Sequence, residues 1–251
     1  MKITAETVGG VATLTLADPD NRNALSGALL AELLAAIDEA ENDEAVRAIV
    51  VTNEGHIFSA GADLKESATG ESYTARMAEV FSRIVHSPKP FVGRIRGHAV
   101  AGGVGLACAM DISIAIDDAK FGFTEVRVGV APAIISTICL PKMRRADAAA
   151  AFLRGNRFLA PEAARLGLIN ESVPVDRLDE RIDETVGDLL LGAPKALAAT
   201  KSLLTRIPAM PFDDAVSWAS ELSGRLFGSE EAKEGMTAYL EKRRPEWAPE
   251  A

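Results

Sequence analysis

Cysteine, histidine and positive charge are all scarce in this chain. Two cysteines occur among 251 residues, Cys108 and Cys139, and both sit in apolar runs. That speaks against a disulfide framework and predicts two buried free thiols. The three histidines, His56, His86 and His98, show no metal-ligand spacing with the cysteines, so no metal is expected. Lysine and arginine number 27 against 36 aspartates and glutamates, for a formal net charge of −9. An acidic surface repels polyanions, which makes nucleic acid an unexpected partner, while a local basic pocket can still hold one phosphorylated ligand.

Long apolar runs are missing too. No stretch of eighteen or more apolar residues occurs, so no membrane partner is expected. The opening MKITAETVGGVATLTL alternates apolar and polar residues where a signal peptide needs an unbroken apolar core. A cytoplasmic location is the expectation. Walker loops and Gly-x-Ser-x-Gly elbows are absent, which argues against nucleotide hydrolysis and the α/β-hydrolases. Gly103-Val-Gly105 starts like a dinucleotide loop, but Cys108 stands in place of the third glycine. Glu125 lies near the distance of a ribose-binding acid, yet one acid at that spacing is a weak signal, and a dinucleotide site is rejected.

What the chain does have is an ordinary globular composition, 48% hydrophobic and 25% charged, in a length that fills one large domain or one plus a small appendage. Val11–Leu16 alternates as a strand, and Ser26 reads as the N-cap of a helix over Ala28–Ala40. Strands follow at Val46–Val51, Pro90–Arg96, Ile112–Ile116 and Lys120–Phe123, with helices at Tyr73–Val85, Gly102–Met110 and Ala133–Met143. Alternating strand–turn–helix units predict an α/β architecture with largely parallel strands. From about Ala193 the pattern turns wholly helical, over Pro194–Ile207, Phe212–Phe227 and Glu230–Arg243. No low-complexity linker precedes this stretch, which marks residues 193–251 as an integral extension of a core over residues 1–192. The extension packs on that core or on a neighbouring subunit.

The clearest sign of chemistry is a pair of small-residue loops, Phe58-Ser-Ala-Gly-Ala-Asp63 and Gly97-His-Ala-Val-Ala-Gly-Gly-Val-Gly105, each after an apolar strand. Either loop alone reads as tight strand–helix packing. Together they can aim two backbone N–H groups at one carbonyl oxygen, as an oxyanion hole requires. Gly102 opens a helix, where free N–H groups favour negative charge. Glu125 admits two readings of equal weight. It is a partly desolvated carboxylate with a raised pKa suited to proton transfer, or a rim glutamate paired with Arg127. Asp63 reads as a helix cap and Asp111 as a structural hydrogen-bonding group. Lys65, Lys242, Arg243 and Arg244 read as solvated charges.

These residues resemble the enoyl-CoA hydratase/isomerase (crotonase) superfamily. The likeness runs nearly end to end: Asn23-Ala-Leu25, Phe58-Ser-Ala-Gly-Ala-Asp-Leu64, Gly97-His-Ala-Val-Ala-Gly-Gly103, Asp111-Ile112, Phe121-Gly-Phe-Thr-Glu125, Val128-Gly-Val-Ala-Pro132, Ser229–Met236 and Leu240–Arg243. The resemblance implies an α/β fold, a crotonase-like spiral of ββα repeats with a C-terminal helical oligomerisation region that supports trimers or hexamers. It implies an acyl-CoA thioester substrate, with CoA part of the substrate and no separate cofactor. The thioester oxygen would be held by the N–H groups of Ala62 and Gly102, with Glu125 as the acid–base group. Ala60, Gly61, Asp63, Leu64, Gly103, Pro132 and Lys242 would line the substrate, Lys242 approaching the CoA phosphates. The segments Glu66–Arg76 and Ala131–Ile135 would select the acyl chain.

One departure shifts the expected reaction. Typical enoyl-CoA hydratases hold and activate a water with two glutamates. Glu125 matches the second, but Gly105 stands where the first belongs. A single carboxylate suffices for moving a proton from C2 to C4 of a 3-enoyl thioester, so the pattern leans towards double-bond isomerisation. Hydration aided by another group is the alternative, and decarboxylation of a malonyl-type thioester is more remote. A non-catalytic acyl-CoA-binding protein is the rival from a different class. A serine protease on the same spiral is discounted, because no serine sits at Gly102–Gly105.

Overall fold

A computed structural model describes residues 1–67 and 71–249. The chain opens with a hairpin, β1 (Ile3–Val8) antiparallel to β2 (Val11–Leu16), turned by Gly9 and Gly10 at φ +57° and +83°. Two positive-φ residues suit the two-residue hairpin turn that matches strand twist. β2 alternates buried and half-buried positions as its sequence predicts. β1 was not assigned from the sequence.

Three units then repeat one plan. β3 (Ala48–Asn53) leads to β4 (Ile57–Ser59) and the helices α2 (Leu64–Ser67) and α3 (Glu71–His86), after α1 (Gly27–Asn42) has crossed over from β2. β5 (Phe91–Ile95) and β6 (His98–Val100) lead to α4 (Gly102–Ala109). β7 (Ile112–Ile116) and β8 (Lys120–Gly122) lead to a 3-10 turn at Glu125–Val128 and then α5 (Ala133–Cys139). In each unit the first strand joins one sheet and the second joins another. After α6 (Arg145–Arg154), β9 (Phe158–Leu159) closes the smaller sheet. After α7 (Ala160–Arg165), β10 (Glu171–Val173) closes the larger. The orders are β1-β2-β3-β5-β7-β10 and β4-β6-β8-β9, parallel except for the pairs β1–β2 and β8–β9. This is the expected spiral of ββα turns.

The core lies between the sheets and their helices. β3 is buried at every position, as a central parallel strand should be. The Ser26 hydroxyl accepts the Leu29 N–H at 3.2 Å and caps α1, which buries Leu29, Leu30, Leu33, Ala36, Ile37 and Ala40 at helical spacing. All eight residues of α4 are buried. α8 (Leu178–Leu191) covers the larger sheet over β3, β5 and β7. Where one helix was expected over Ala133–Met143, α5 stops at Cys139 and a 3-10 turn follows at Leu140–Lys142. Pro141 lacks the N–H that would continue the ladder. The predicted strand at Val46–Val51 lies two residues later, because Arg47 and Ala48 first donate to the Gly10 carbonyl.

The last helices, α9 (Pro194–Arg206), α10 (Phe212–Phe227) and α11 (Glu230–Glu241), fall within two residues of their expected bounds. Arg47 ties this stretch down, donating to the Trp247 carbonyl at 2.8 Å and the Gly192 carbonyl at 2.7 Å. Among the described residues no helix is long and apolar enough to cross a membrane.

Candidate active site

β4, β6 and β8 run parallel, so the segments after them leave the smaller sheet from one edge. Ala60–Asp63, Ala101–Gly105 and Phe123–Glu125 are therefore neighbours, in the crevice beyond strand C-termini where α/β folds place ligands. The Ala101 N–H donates to the Gly122 carbonyl at 2.9 Å and joins the second segment to the third.

The first two loops touch. Gly61 has φ +83°, and a Cβ on it would lie 2.8 Å from the Val100 oxygen and 2.9 Å from the Gly102 nitrogen. No other residue type permits that approach. Ala101 takes φ +50° and ψ −123°, a sparsely populated conformation for a residue with a Cβ, and turns the chain so that Gly102 begins α4. A Cβ on Gly102 would lie 3.5 Å from the Ala62 nitrogen. The loops thus bring the backbone nitrogens of Ala62 and Gly102 close together. Among the described residues neither has an acceptor. One of them also stands at the positive end of a helix.

A buckle of buried polar groups fixes this geometry. Ser59 Oγ donates to the Asn23 carbonyl at 2.8 Å and accepts the Gly61 N–H at 3.2 Å. The Ala60 N–H donates to the Arg22 carbonyl, and the Gly61 carbonyl accepts from Leu25. Asn23, fully buried, donates to the carbonyls of Glu54 and Ile57 and accepts from the Asp18 N–H. The Asn23-Ala-Leu25 segment therefore clamps the loop. Ser59 is a positioning group that sequence reasoning did not single out, though it stands inside the quoted loop.

Asp63 is the helix cap its sequence suggested. It accepts from the Lys65 N–H at 2.9 Å and from Asn21 Nδ2 at 3.2 Å, and the Asn21 bond chiefly holds its pKa below the usual range. Leu64 opens α2 with its side chain largely exposed. Gly103 packs away from the crevice: a Cβ there would lie 2.4 Å from the Ser59 carbonyl oxygen. Pro132 precedes α5 and accepts the Ser136 N–H. Lys242 caps α11 at φ +56°, exposed, and among the described residues no hydrogen bond or ion pair ties its side chain to these loops. Residues 68–70 of the Glu66–Arg76 segment lie outside the described residues.

Glu125 opens the 3-10 turn after β8. Its Oε2 is buried with no hydrogen-bond partner, and burial raises its pKa above the ordinary carboxylate value. The alternative reading, an ion pair with Arg127, is overturned, because Arg127 reaches instead towards the Arg154 carbonyl at 3.5 Å. A half-buried carboxylate with one oxygen left unpartnered has the chemistry of a base. Cys108 and Cys139 are free and buried. Among the described residues no three His, Cys, Asp or Glu side chains gather as a metal site.

A family model described as Enoyl-CoA hydratase/isomerase matches residues 6–250. This chain belongs to the enoyl-CoA hydratase/isomerase family. Among its curated relatives, a Thermus thermophilus protein with a provisional enoyl-CoA hydratase name is 36% identical over 245 residues, covering 94% of this chain and 97% of that one. A short-chain-enoyl-CoA hydratase of Clostridium acetobutylicum is 33% identical, with 96% and 95% covered. Among solved structures, an enoyl-CoA hydratase from Shewanella pealeana superposes with a TM-score of 0.93 at 30% identity, over 98% of this chain and 96% of that one. The spiral is thus the crotonase fold of this family, and an acyl-CoA thioester is the substrate class that the family implies.

Position 105 separates this member from the two-glutamate pattern in space as well as in sequence. A Cβ on Gly105 would lie 2.5 Å from Ile135 Cγ2 and 3.0 Å from Phe81 Cζ. The side-chain volume there is already filled.

Proposed function

We propose that this enoyl-CoA hydratase/isomerase family member isomerises the double bond of an enoyl-CoA thioester through an enolate, with Glu125 as the sole acid–base carboxylate. The buried Glu125 Oε2 without a hydrogen-bond partner carries this reading. Ionised Glu125 takes a proton from C2 of a 3-enoyl thioester, and the C–H electron pair moves through the conjugated system onto the thioester oxygen. The Ala62 and Gly102 N–H groups receive that oxyanion, at about 3–4 kcal/mol per donor by analogy with measured oxyanion holes. Protonated Glu125 then returns the proton at C4, leaving a 2-enoyl thioester. Nothing is oxidised or reduced, and no water is consumed.

Hydration is the second reading, favoured by the hydratase names of the relatives. It requires one carboxylate to do what two do elsewhere. The exposed Phe212, Phe227, Tyr239 and Leu240 of α10 and α11 support a trimer or hexamer built through residues 193–251, which sedimentation velocity would test. The deciding experiment incubates medium-length 3-enoyl-CoA and trans-2-enoyl-CoA with the protein and with Glu125→Gln, followed by mass spectrometry and chromatography. Conversion of the 3-enoyl to the 2-enoyl compound, lost in the variant, supports isomerisation. A main product heavier by one water establishes hydration instead, and tight binding without turnover establishes a binding protein.

A further inference from the structure

Gly102 and Gly105 stand three residues apart on α4, so their α-carbons face the same side of the helix. That side is covered by apolar side chains, with the Ala62 backbone nitrogen at its N-terminal edge. A Cβ on Gly102 would meet Leu25 Cδ1 at 3.1 Å and Met77 Sδ at 3.3 Å, and one on Gly105 would meet Ile135 and Phe81. All four of these side chains are buried. α5, which carries Ile135, packs directly on α4, and it follows the turn that carries Glu125. Ile135 therefore occupies the volume that a side chain at 105 would need.

We infer that Ile135 determines reaction specificity: it fills the volume beside Gly105 and keeps a second polar group, and the water that group would hold, away from the carbon that Glu125 serves. The inference rests on the isomerisation reading above. A water needs two to four polar partners and room of its own, and beside Gly105 the side chains of Phe81 and Ile135 fill the room and supply no partner. The dienolate formed beside these side chains meets one proton donor, Glu125, and no nucleophile. Where Ile135 is shortened, a water can enter and add across C2=C3, its oxygen bonding to C3 and its proton going to C2. Glycine at 105 and isoleucine at 135 then form one unit, each the condition for the other.

The test compares Ile135→Ala, the milder Ile135→Val, Gly105→Ala and the double variant Gly105→Ala/Ile135→Ala. Products from 3-enoyl-CoA and 2-enoyl-CoA are quantified alongside C2–H exchange of a saturated acyl-CoA in heavy water, which reports enolate formation alone. Ile135→Ala is expected to raise the ratio of water adduct to isomer by about tenfold, the lower end of what a few methylenes do to rate ratios in an apolar pocket. C2–H exchange should be retained. Ile135→Val should move the ratio the same way by less and decides the matter should the alanine variant not fold. Gly105→Ala should slow exchange at least about tenfold, with recovery in the double variant. A ratio within about twofold of wild type in both Ile135 variants, with wild type isomerising, overturns this inference alone. A wild-type protein that already yields mainly the water adduct overturns the isomerisation reading, and this inference with it.

Discussion

The two ends of α4 treat polar groups in opposite ways. Past its C-terminal end, Asp111 accepts the Phe91 N–H at 2.7 Å and the Lys201 ammonium at 2.7 Å. Lys201 spends its other two protons on the Ile84 and Lys89 carbonyls, and the ammonium also sits 5.0 Å from the Phe91 ring centre. Every donor of this buried lysine has an acceptor. At the N-terminal end, the N–H groups of Ala62 and Gly102 have no acceptor among the described residues, and Oε2 of nearby Glu125 has no donor. Buried polar groups are normally satisfied, so the exceptions ask for a reason. The satisfied end holds α9 and the larger sheet together. In the proposed function, the unsatisfied end receives a ligand that carries an oxyanion and gives up a proton.

The sharpest way to break this contrast is Glu125→Gln. It removes a proton carrier without removing volume, so turnover should fall by about 10²–10⁴-fold while the melting temperature holds or rises. Turnover measured beside a melting curve checks both. The pH profile adds to this. Burial raises the Glu125 pKa, and the base must be ionised, so the acid limb of kcat/KM should lie above the ordinary carboxylate range. The sign for stability is opposite. Folding favours the protonated form, so this group's contribution to stability is present at acid pH and is lost as pH rises through its folded pKa. A limb at the value of an exposed carboxylate would remove Glu125 from its role.

Next in size is Lys201→Met at the satisfied end. Asp111 then keeps its Phe91 bond but loses its countercharge, and breaking such a buried pair costs about 3–5 kcal/mol. Denaturant unfolding should show that loss, and Asp111→Asn combined with Lys201→Met should recover part of it. Turnover per folded molecule should change little. A large fall in turnover with unchanged stability would mean that this end also serves the chemistry.

Gly61→Ala comes third. The new methyl meets the Val100 oxygen at 2.8 Å and must adopt φ +83°, so the loop shifts and the Ala62 N–H loses its aim. A displacement of this size costs about 10²-fold in kcat. Binding of a saturated acyl-CoA, measured by calorimetry, should weaken far less. Equal losses in binding and turnover would make the loop a binding element only.

The unsatisfied end was more legible in the sequence than the satisfied one. Oxyanion loops require small residues at fixed places, so Gly61, Ala62, Gly102 and Gly103 announce themselves, and Glu125 stands at a strand end. A lysine in the middle of a helix reads as a solvated charge, and Lys201 meets Asp111 across ninety positions that no local pattern connects. Ile135 was visible only as part of an apolar segment, because what it excludes lies on another helix. The short strands β9 and β10 have too few residues to show a period, and α6–α8 went unassigned beside them. Within the repeating units β3, β5, β7 and α3 are legible, as are the long terminal helices, because their apolar patterns are long, whereas β4 and β6, three residues each, lie inside segments that read as loops.

Ser26→Ala has the smallest expected effect and tests whether nearness to the site, rather than the state of its hydrogen bonds, marks a functional group. Ser26 lies next to Leu25, which pairs with Ala62 in an isolated parallel bridge, so it stands one residue from the oxyanion loop's clamp. Its hydroxyl is nonetheless satisfied, accepting the Leu29 N–H at 3.2 Å. By the contrast between the ends of α4, Ser26 belongs with Asp111 and not with Glu125. Losing an N-cap costs about 1 kcal/mol, or about 2–4 °C in melting temperature for a chain of this size. Turnover should stay within about twofold of wild type, since the clamp's other bonds, from Asn23 and Ser59, remain in place. A tenfold fall in kcat at unchanged stability would show that a fully bonded group beside the loop also shapes the reaction, and hydrogen-bond satisfaction would no longer separate scaffold from site.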